Sequence, residues 1–293
     1  MKKSPRKIIF LTGTRADFGK LKPLMIRIQK DPAFRVQTFV TGMHMLKKYG
    51  ETHKEVNKSG IKNIYKFINQ NYLDKMDNVL AKTISGFSDY IRENQPDMIV
   101  VHGDRIETLA AATVGVLNNI NVAHIEGGEV SGTVDEFIRH AVTKMSNFHF
   151  VSNKEAYRRI IQLGEQKKNI FQIGSPDIDI MKSRSLPKIS EVRRRYKLDF
   201  NQYGILLFHP VTSEIDYLSD QIQALINALI ESKKKFIVIY PNNDHGTDKI
   251  FYEYERLSKN LNFRIIPSMR FEYFLTALKK SDFIIGNSSA GIR

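Results

Sequence analysis

Residues 96–132 read PDMIVVHGDRIETLAAATVGVLNNINVAHIEGGEVSG, and this stretch decides the fold. The apolar runs 98–101 and 122–125 are short enough to be buried parallel strands, and the Ala-rich segment between them has helical spacing. The pattern is a βαβ unit. A right-handed crossover puts both strands in one sheet with their carboxyl ends on the same edge. His102, Gly103, Asp104 and Arg105 close the first run, and His124, Glu126 and Glu129 cluster at the end of the second. Two neighbouring strand ends with the same chemistry point to a site rather than to helix capping alone, because buried imidazoles and carboxylates cost free energy unless paired or used.

The chain of 293 residues is 42% hydrophobic, enough for a substantial core. At roughly 150 residues per domain, that length suggests two domains. It contains no cysteine, which excludes disulfides and thiolate metal sites and fits a reducing cytoplasm. The only apolar run near the N-terminus, 8–11, is too short for a signal peptide, and no stretch approaches a membrane span. A soluble, cytoplasmic protein without membrane contact is expected. The net charge of +14 invites a nucleic-acid reading, but the basic residues are dispersed and the densest knots are only 193–195 and 233–235. No nucleic-acid partner is expected; the positive field suits an anionic small substrate.

Outward from the central unit, strand and helix alternate. Strands are expected at 7–12, 36–41 and, more weakly, 64–67. A helix follows the turn at 13–17 with Asp17 as its N-cap, a second runs through Lys54, and a third covers 76–92. After the central unit come a helix opening near Asp135, a strand at 148–151, a helix at 154–163 and a strand at 170–173. The pattern then breaks over 174–200, whose prolines, serines and basic run mark a linker. A second βα series follows, with strands at 204–208, 236–240, 264–266 and 283–285 and helices at 218–231, 249–261 and 271–280. The expectation is an α/β protein of two Rossmann-like, doubly wound parallel-sheet domains, 1–180 and 181–293, with an interdomain cleft.

The polar ends of the second series are His209 after one strand, Asn242 after the next, and Gly286-Asn287-Ser288-Ser289 after the last. Gly leading into two hydroxyl residues at a helix start is a ready anion site. Arg15, in the first turn of the other domain, can add a guanidinium. The loop at 13–19 matches neither the dinucleotide fingerprint nor the P-loop, so nicotinamide and P-loop kinase chemistry are unsupported. The remaining histidines are too scattered for a metal site.

With these residues in place, the chain resembles the hydrolysing UDP-N-acetylglucosamine 2-epimerases of sialic acid biosynthesis. The motifs that carry the resemblance are TGTRADFGKL (12–21), VHGDR (101–105), HIEGGEVSGTVDEFIRHA (124–141), FHPVT (208–212), YPNND (240–244) and IIGNSSAGIR (284–293), in order along the whole length. The resemblance implies a glycosyltransferase-B type fold with the nucleotide sugar in the cleft, and no metal or nicotinamide cofactor. It also implies self-association into a homo-oligomer. In such enzymes the chain continues past the GNSS motif into a helix whose glutamate holds the ribose. Ending at Arg293, the second domain is therefore expected to be incomplete, with poor stability and weak UDP affinity.

The implied reaction takes UDP-N-acetylglucosamine and water to UDP and N-acetylmannosamine, by elimination of UDP to a glycal and hydration with inversion at C2. By motif position the acid–base carboxylates fall on Asp104, Glu126 and Asp135, with His209 as a further catalytic group meeting the departing UDP. Arg15, Ser288 and Ser289 fall to the phosphates and Asn242 to the same substrate. Arg105 is a substrate contact, and His102 and His124 orient the carboxylates or bind the sugar. Which carboxylate gives and which takes the proton stays open. So does the sugar, since relatives act on 2,4-diacetamido-trideoxyhexose nucleotides of the legionaminic acid route. A glycosyltransferase of the same fold is the remaining enzyme alternative, and a non-catalytic scaffold the alternative outside enzymes.

Overall fold

A computed structural model describes residues 4–183, 186–288 and 290. The chain forms two compact units, Met1–Ile180 and Met181–Arg293. The first runs β1 (Arg6–Thr12), α1 (Arg15–Gln29), β2 (Phe34–Val40), α2 (His53–Asn57), β3 (Ile64–Lys66), α3 (Met76–Asn94) and β4 (Met98–His102). It continues with α4 (Ile106–Leu117), β5 (Asn121–Ile125), α5 (Val134–Lys144), β6 (Phe148–Val151), α6 (Lys154–Gln162), β7 (Ile170–Gln172) and α7 (Pro176–Met181).

All seven strands are parallel, in the order β3-β2-β1-β4-β5-β6-β7. The chain winds outward from β1 in one direction and from β4 in the other, so the crevice at the carboxyl ends of β1 and β4 is the topological switch point. Side chains of β1 alternate between two cores. Ile9 and Leu11 pack with Phe87, Ile99 and Val101 beneath α3 and α4. Ile8 and Phe10 pack with Phe18, Leu21 and Met25 beneath α1. Burial on both faces is why these strands read as unbroken apolar runs. Helix α3 shows the complementary period, with Val79, Thr83, Phe87 and Ile91 buried along one stripe.

The second unit contains α8 (Ile189–Tyr196), β8 (Gly204–Leu207), α9 (Leu218–Glu231), β9 (Phe236–Ile239), α10 (Thr247–Glu255), β10 (Phe263–Ile266), α11 (Phe271–Lys279) and β11 (Phe283–Gly286). Its described sheet is again parallel, β10-β9-β8-β11, with a switch point between β8 and β11. Leu206, Ile222, Ile226, Phe236, Val238 and Tyr254 form its main core. Among the described residues no helix is long and apolar enough to cross a membrane.

Three local expectations are corrected. Asp17 is not the N-cap of α1: Thr14 caps it, and Asp17 is the third helical residue of a reciprocal capping box. The helix expected through Lys54 is two 3-10 turns, Gly42–Met45 and Lys47–Tyr49, followed by the short α2, because Gly50 and Glu51 take left-handed backbone there. The stretch 174–200 is not bare linker, since α7 and α8 occupy much of it.

The central βαβ unit depends on a close approach of α4 to β5, where a Cβ on Gly115 would lie 2.5 Å from Val122 Cγ2. Gly115→Ala is therefore expected to destabilise the chain by about 1–3 kcal/mol despite the better helix propensity of alanine. Urea unfolding checks this. Adding Val122→Ala should recover part of the loss, and strict additivity of the two would contradict the steric cause.

Candidate active site

The turn after β1 is filled from within. Asp17 Oδ2 accepts the N–H groups of Gly13 (3.0 Å) and Thr14 (3.1 Å), and Oδ1 accepts the Thr12 hydroxyl. The two amides of the turn that leads into α1 are thus occupied by a side chain of the helix itself. Burial pushes Asp17 above the usual carboxylate range although these donors oppose it. Thr12 Oγ1 also lies 3.0 Å from His44 Nε2, whose Nδ1 lies 2.6 Å from Thr52 Oγ1. Arg15 opens α1 and pairs with Glu55 at 3.0 Å.

Strands β4 and β5 end side by side, with His102 in register with Ile125. Gly103 turns the chain through left-handed backbone (φ +74°) after His102, and Arg105 caps α4. Asp104, its side chain 25% exposed, pairs with Arg139 of α5. Arg139 also donates to the Glu129 carbonyl at 3.0 Å and to Ser131 Oγ at 3.3 Å, so α5 and the loop before it are tied to the β4 end.

At the β5 end Glu126 adopts φ +62°, a strained conformation for a non-glycine residue. Its carboxylate is 6% exposed and has three partners. Oε2 lies 3.0 Å from both Lys20 Nζ and His102 Nε2, and Oε1 accepts the Ser175 hydroxyl at 3.0 Å. Lys20 extends the chain to Asp177 at 3.2 Å. Burial pushes the Glu126 carboxyl up, but the attraction of His102 and Lys20 outweighs it and holds the group well below the usual range. Burial likewise pulls Lys20 down, and Glu126 and Asp177 more than reverse this. Glu126 is thus a fixed anion, Lys20 a fixed cation.

His124 is fully buried, with Nε2 2.7 Å from the Gly103 carbonyl and Nδ1 3.2 Å from Thr143 Oγ1. Both nitrogens are engaged inside the fold. Its ring thereby lies beneath the Asp104 turn and joins it to α5. Asp135 is half-buried in the first turn of α5, one helical turn before Arg139 and on the same face.

In the second unit, His209 and Asn287 bridge the β8/β11 switch point. His209 N–H donates to Asn287 Oδ1 and Asn287 Nδ2 donates to the His209 carbonyl, both at 2.8 Å. The Asn242 N–H donates to His209 Nδ1 at 3.2 Å, which makes Nδ1 an acceptor and assigns the ring proton to Nε2. Ser288 Oγ accepts the Ala290 N–H at 3.3 Å, a local turn. Ser289 lies outside the described residues.

The structure brings His102, Asp104, Arg105, His124 and Glu126 together at one sheet edge, and His209, Asn242 and Ser288 lie in the second unit. Sequence reasoning assigned no role to Lys20, Arg139, Ser175 or Asp177. Lys20 and Arg139 sit inside motifs already singled out, but their partners are 106 and 35 residues away.

His44 and His124 are both fully buried and held down to about 3, chiefly by burial. An unfolded histidine titrates near 6.5, so the unfolded chain binds more protons between these values and stability is lost as pH falls below about 6.5. The expected slope is of order 1 kcal/mol per pH unit for each ring. Urea unfolding from pH 7 to 5 should show it, with a shallower dependence in His124→Gln; an unchanged slope in that variant would contradict the assignment.

Comparison with known proteins places the chain in a family. Residues 26–293 match the family described as UDP-N-acetylglucosamine 2-epimerase. The chain is 48% identical to the UDP-N-acetylglucosamine 2-epimerase of Neisseria meningitidis serogroup B, over 98% of this chain and 76% of that protein. It is 35% identical to the UDP-N,N'-diacetylbacillosamine 2-epimerase (hydrolyzing) of Legionella pneumophila, over 98% of this chain and 77% of that protein. Among solved structures, a UDP-GlcNAc 2-epimerase from Neisseria meningitidis bound to UDP-GlcNAc superposes with a TM-score of 0.77 at 18% identity, covering 96% of this chain and 78% of that one. The fold is of the glycosyltransferase-B type, and the chain belongs to the UDP-N-acetylglucosamine 2-epimerase family.

Proposed function

We propose that the chain is a hydrolysing 2-epimerase that converts UDP-N-acetylglucosamine and water into UDP and N-acetylmannosamine for sialic acid biosynthesis, as a cytoplasmic homo-oligomer. The observation that carries this reading is the pair of carboxylates on adjacent strand ends, Asp104 held by Arg139 and Glu126 held by Lys20 and His102. The hydrolysing name of the Legionella relative supports the type of reaction. In this reading residues 1–180 supply the carboxylates and residues 181–293 the nucleotide-binding groups.

The C2 proton has no adjacent carbonyl to acidify it, so C1–O cleavage runs ahead and leaves cationic character at C1. Breaking the C1–O bond releases UDP, a carboxylate takes the C2 proton, and the C1–C2 double bond of a glycal forms. Water then adds its oxygen at C1, and a proton returns to C2 from the opposite face. Glu126, buried between Lys20 and His102, suits a fixed charge that orients these two side chains rather than a group that trades protons. Asp104 and Asp135, both only half-buried, suit the proton-transfer roles. Arg105 meets the substrate beside Asp104. His209, with its proton on Nε2, Arg15, Asn242, Ser288 and Ser289 meet the charge growing on UDP.

Proton NMR in deuterated water tests the reading. Free UDP should appear with N-acetylmannosamine deuterated at C2, and UDP release without deuterium at C2 would sink the elimination. Asp104→Asn should lower kcat by about 100-fold or more with the fold intact. The identity to the Legionella enzyme favours one second reading, a 2,4-diacetamido-trideoxyhexose nucleotide as substrate. Turnover of that nucleotide in place of UDP-N-acetylglucosamine would establish it.

A further inference from the structure

The turn after β1 leads to Arg15, and a separate segment of the first unit determines where that side chain stands. Between β2 and β3 the chain makes the two 3-10 turns and α2. This segment is packed in place, with Leu46, Tyr49, Thr52 and Val56 all buried.

Contacts on both sides fix it against α1 and the end of β1. Val56 belongs to the same core as Phe18, Leu21 and Met25 of α1. The His44 ring lies between the two pieces, 3.0 Å from Thr12 Oγ1 at the end of β1 and 2.6 Å from Oγ1 of Thr52, the N-cap residue of α2. It also meets Phe18 of α1 edge-on, with ring centroids 6.1 Å apart. Helix α2 therefore has a fixed place relative to the first turns of α1, and a side chain carried on it can serve as a stop.

Glu55 is that side chain. From α2 its Oε1 reaches Arg15 Nη2 at 3.0 Å, with 13% of the arginine and 19% of the glutamate side chain exposed. A pair so largely withdrawn from water is screened less than one on the open surface. The adjoining cation does not compete, because Lys54 pairs with Glu51. A guanidinium carries five N–H donors, so one carboxylate does not exhaust the fork.

We propose that Glu55 is a positioning residue that sets the Arg15 guanidinium in place for the phosphate groups of a nucleoside diphosphate. The inference rests on the reading of Arg15 as a phosphate contact given above. A phosphate is gripped best by two parallel N–H donors, which demands one orientation of a plane carried on a long, rotamer-rich stem. Glu55 imposes that order before the ligand arrives, so less affinity is lost when it binds.

The test is titration of UDP into the full chain by calorimetry, for the wild type, Glu55→Gln, Arg15→Ala and the double variant. Glu55→Gln should weaken UDP by about tenfold and Arg15→Ala by at least as much, while adding Glu55→Gln to Arg15→Ala should weaken it no further. In the ligand-free chain, the Nε–H signal of isotope-labelled Arg15 should be sharp in the wild type and broadened in Glu55→Gln. Glu55 is partly exposed, so thermal unfolding should show its variant folded. Unchanged UDP affinity in Glu55→Gln, with Arg15→Ala binding more weakly, would overturn the role of Glu55 and leave the reading of Arg15 standing. Tighter UDP binding in Glu55→Gln would also overturn it, by showing a latch that phosphate must displace. A lowered unfolding midpoint with the Arg15 signal and UDP affinity unchanged would reduce the pair to a structural contact and do the same. Absence of UDP binding by the wild type, or full affinity in Arg15→Ala, would instead overturn the reading on which the inference rests.

Discussion

The grip of Lys20 and His102 on Glu126 is the contact on which the rest of the first unit depends. Glu126 is buried, which works against an ionised side chain, and carries a backbone conformation that disfavours any residue but glycine. Lys20 and His102, each 3.0 Å away, reverse the balance. One comes from α1 and the other from the end of β4, so the contact also fixes the first helix and two strand ends relative to one another. Removing either partner would leave a buried charge under-compensated, which is far more costly than never having placed it there.

Around that contact the molecule holds its polar groups in place by reciprocal pairing. His124 links the Gly103 turn to Thr143 of α5, and Arg139 of the same helix holds Asp104. The second unit uses the same logic at its own switch point, where the Asn287 side chain closes both backbone groups of His209. In each case a loop at a strand end is held to a neighbouring strand end or helix by side chains, which is how an irregular segment gains a fixed geometry.

The strands and long helices were legible because burial on both faces leaves an unbroken apolar run and an amphipathic helix leaves a stripe. The segments 98–101 and 122–125 and the stripe of Val79, Phe87 and Ile91 are examples. What sequence could not show were choices settled by three-dimensional competition. Thr14 and Asp17 are both good capping residues, and only the geometry of the turn decides which caps and which reciprocates. Lys20 reads as one more basic residue on a basic chain until Glu126 and Asp177 are brought to it. Of the site itself, the strand-end residues were readable from the βαβ pattern, while their counter-charges were not, because ion pairing leaves no periodic mark.

The turn after β1 has a consequence for discrimination. By giving the Gly13 and Thr14 amides to Asp17, α1 closes two donors of that turn to any outside acceptor. The two units are built on one architectural plan, yet in the first the amides of Gly13 and Thr14 are already spent within the fold. An anion that approaches this turn finds those two donors already engaged.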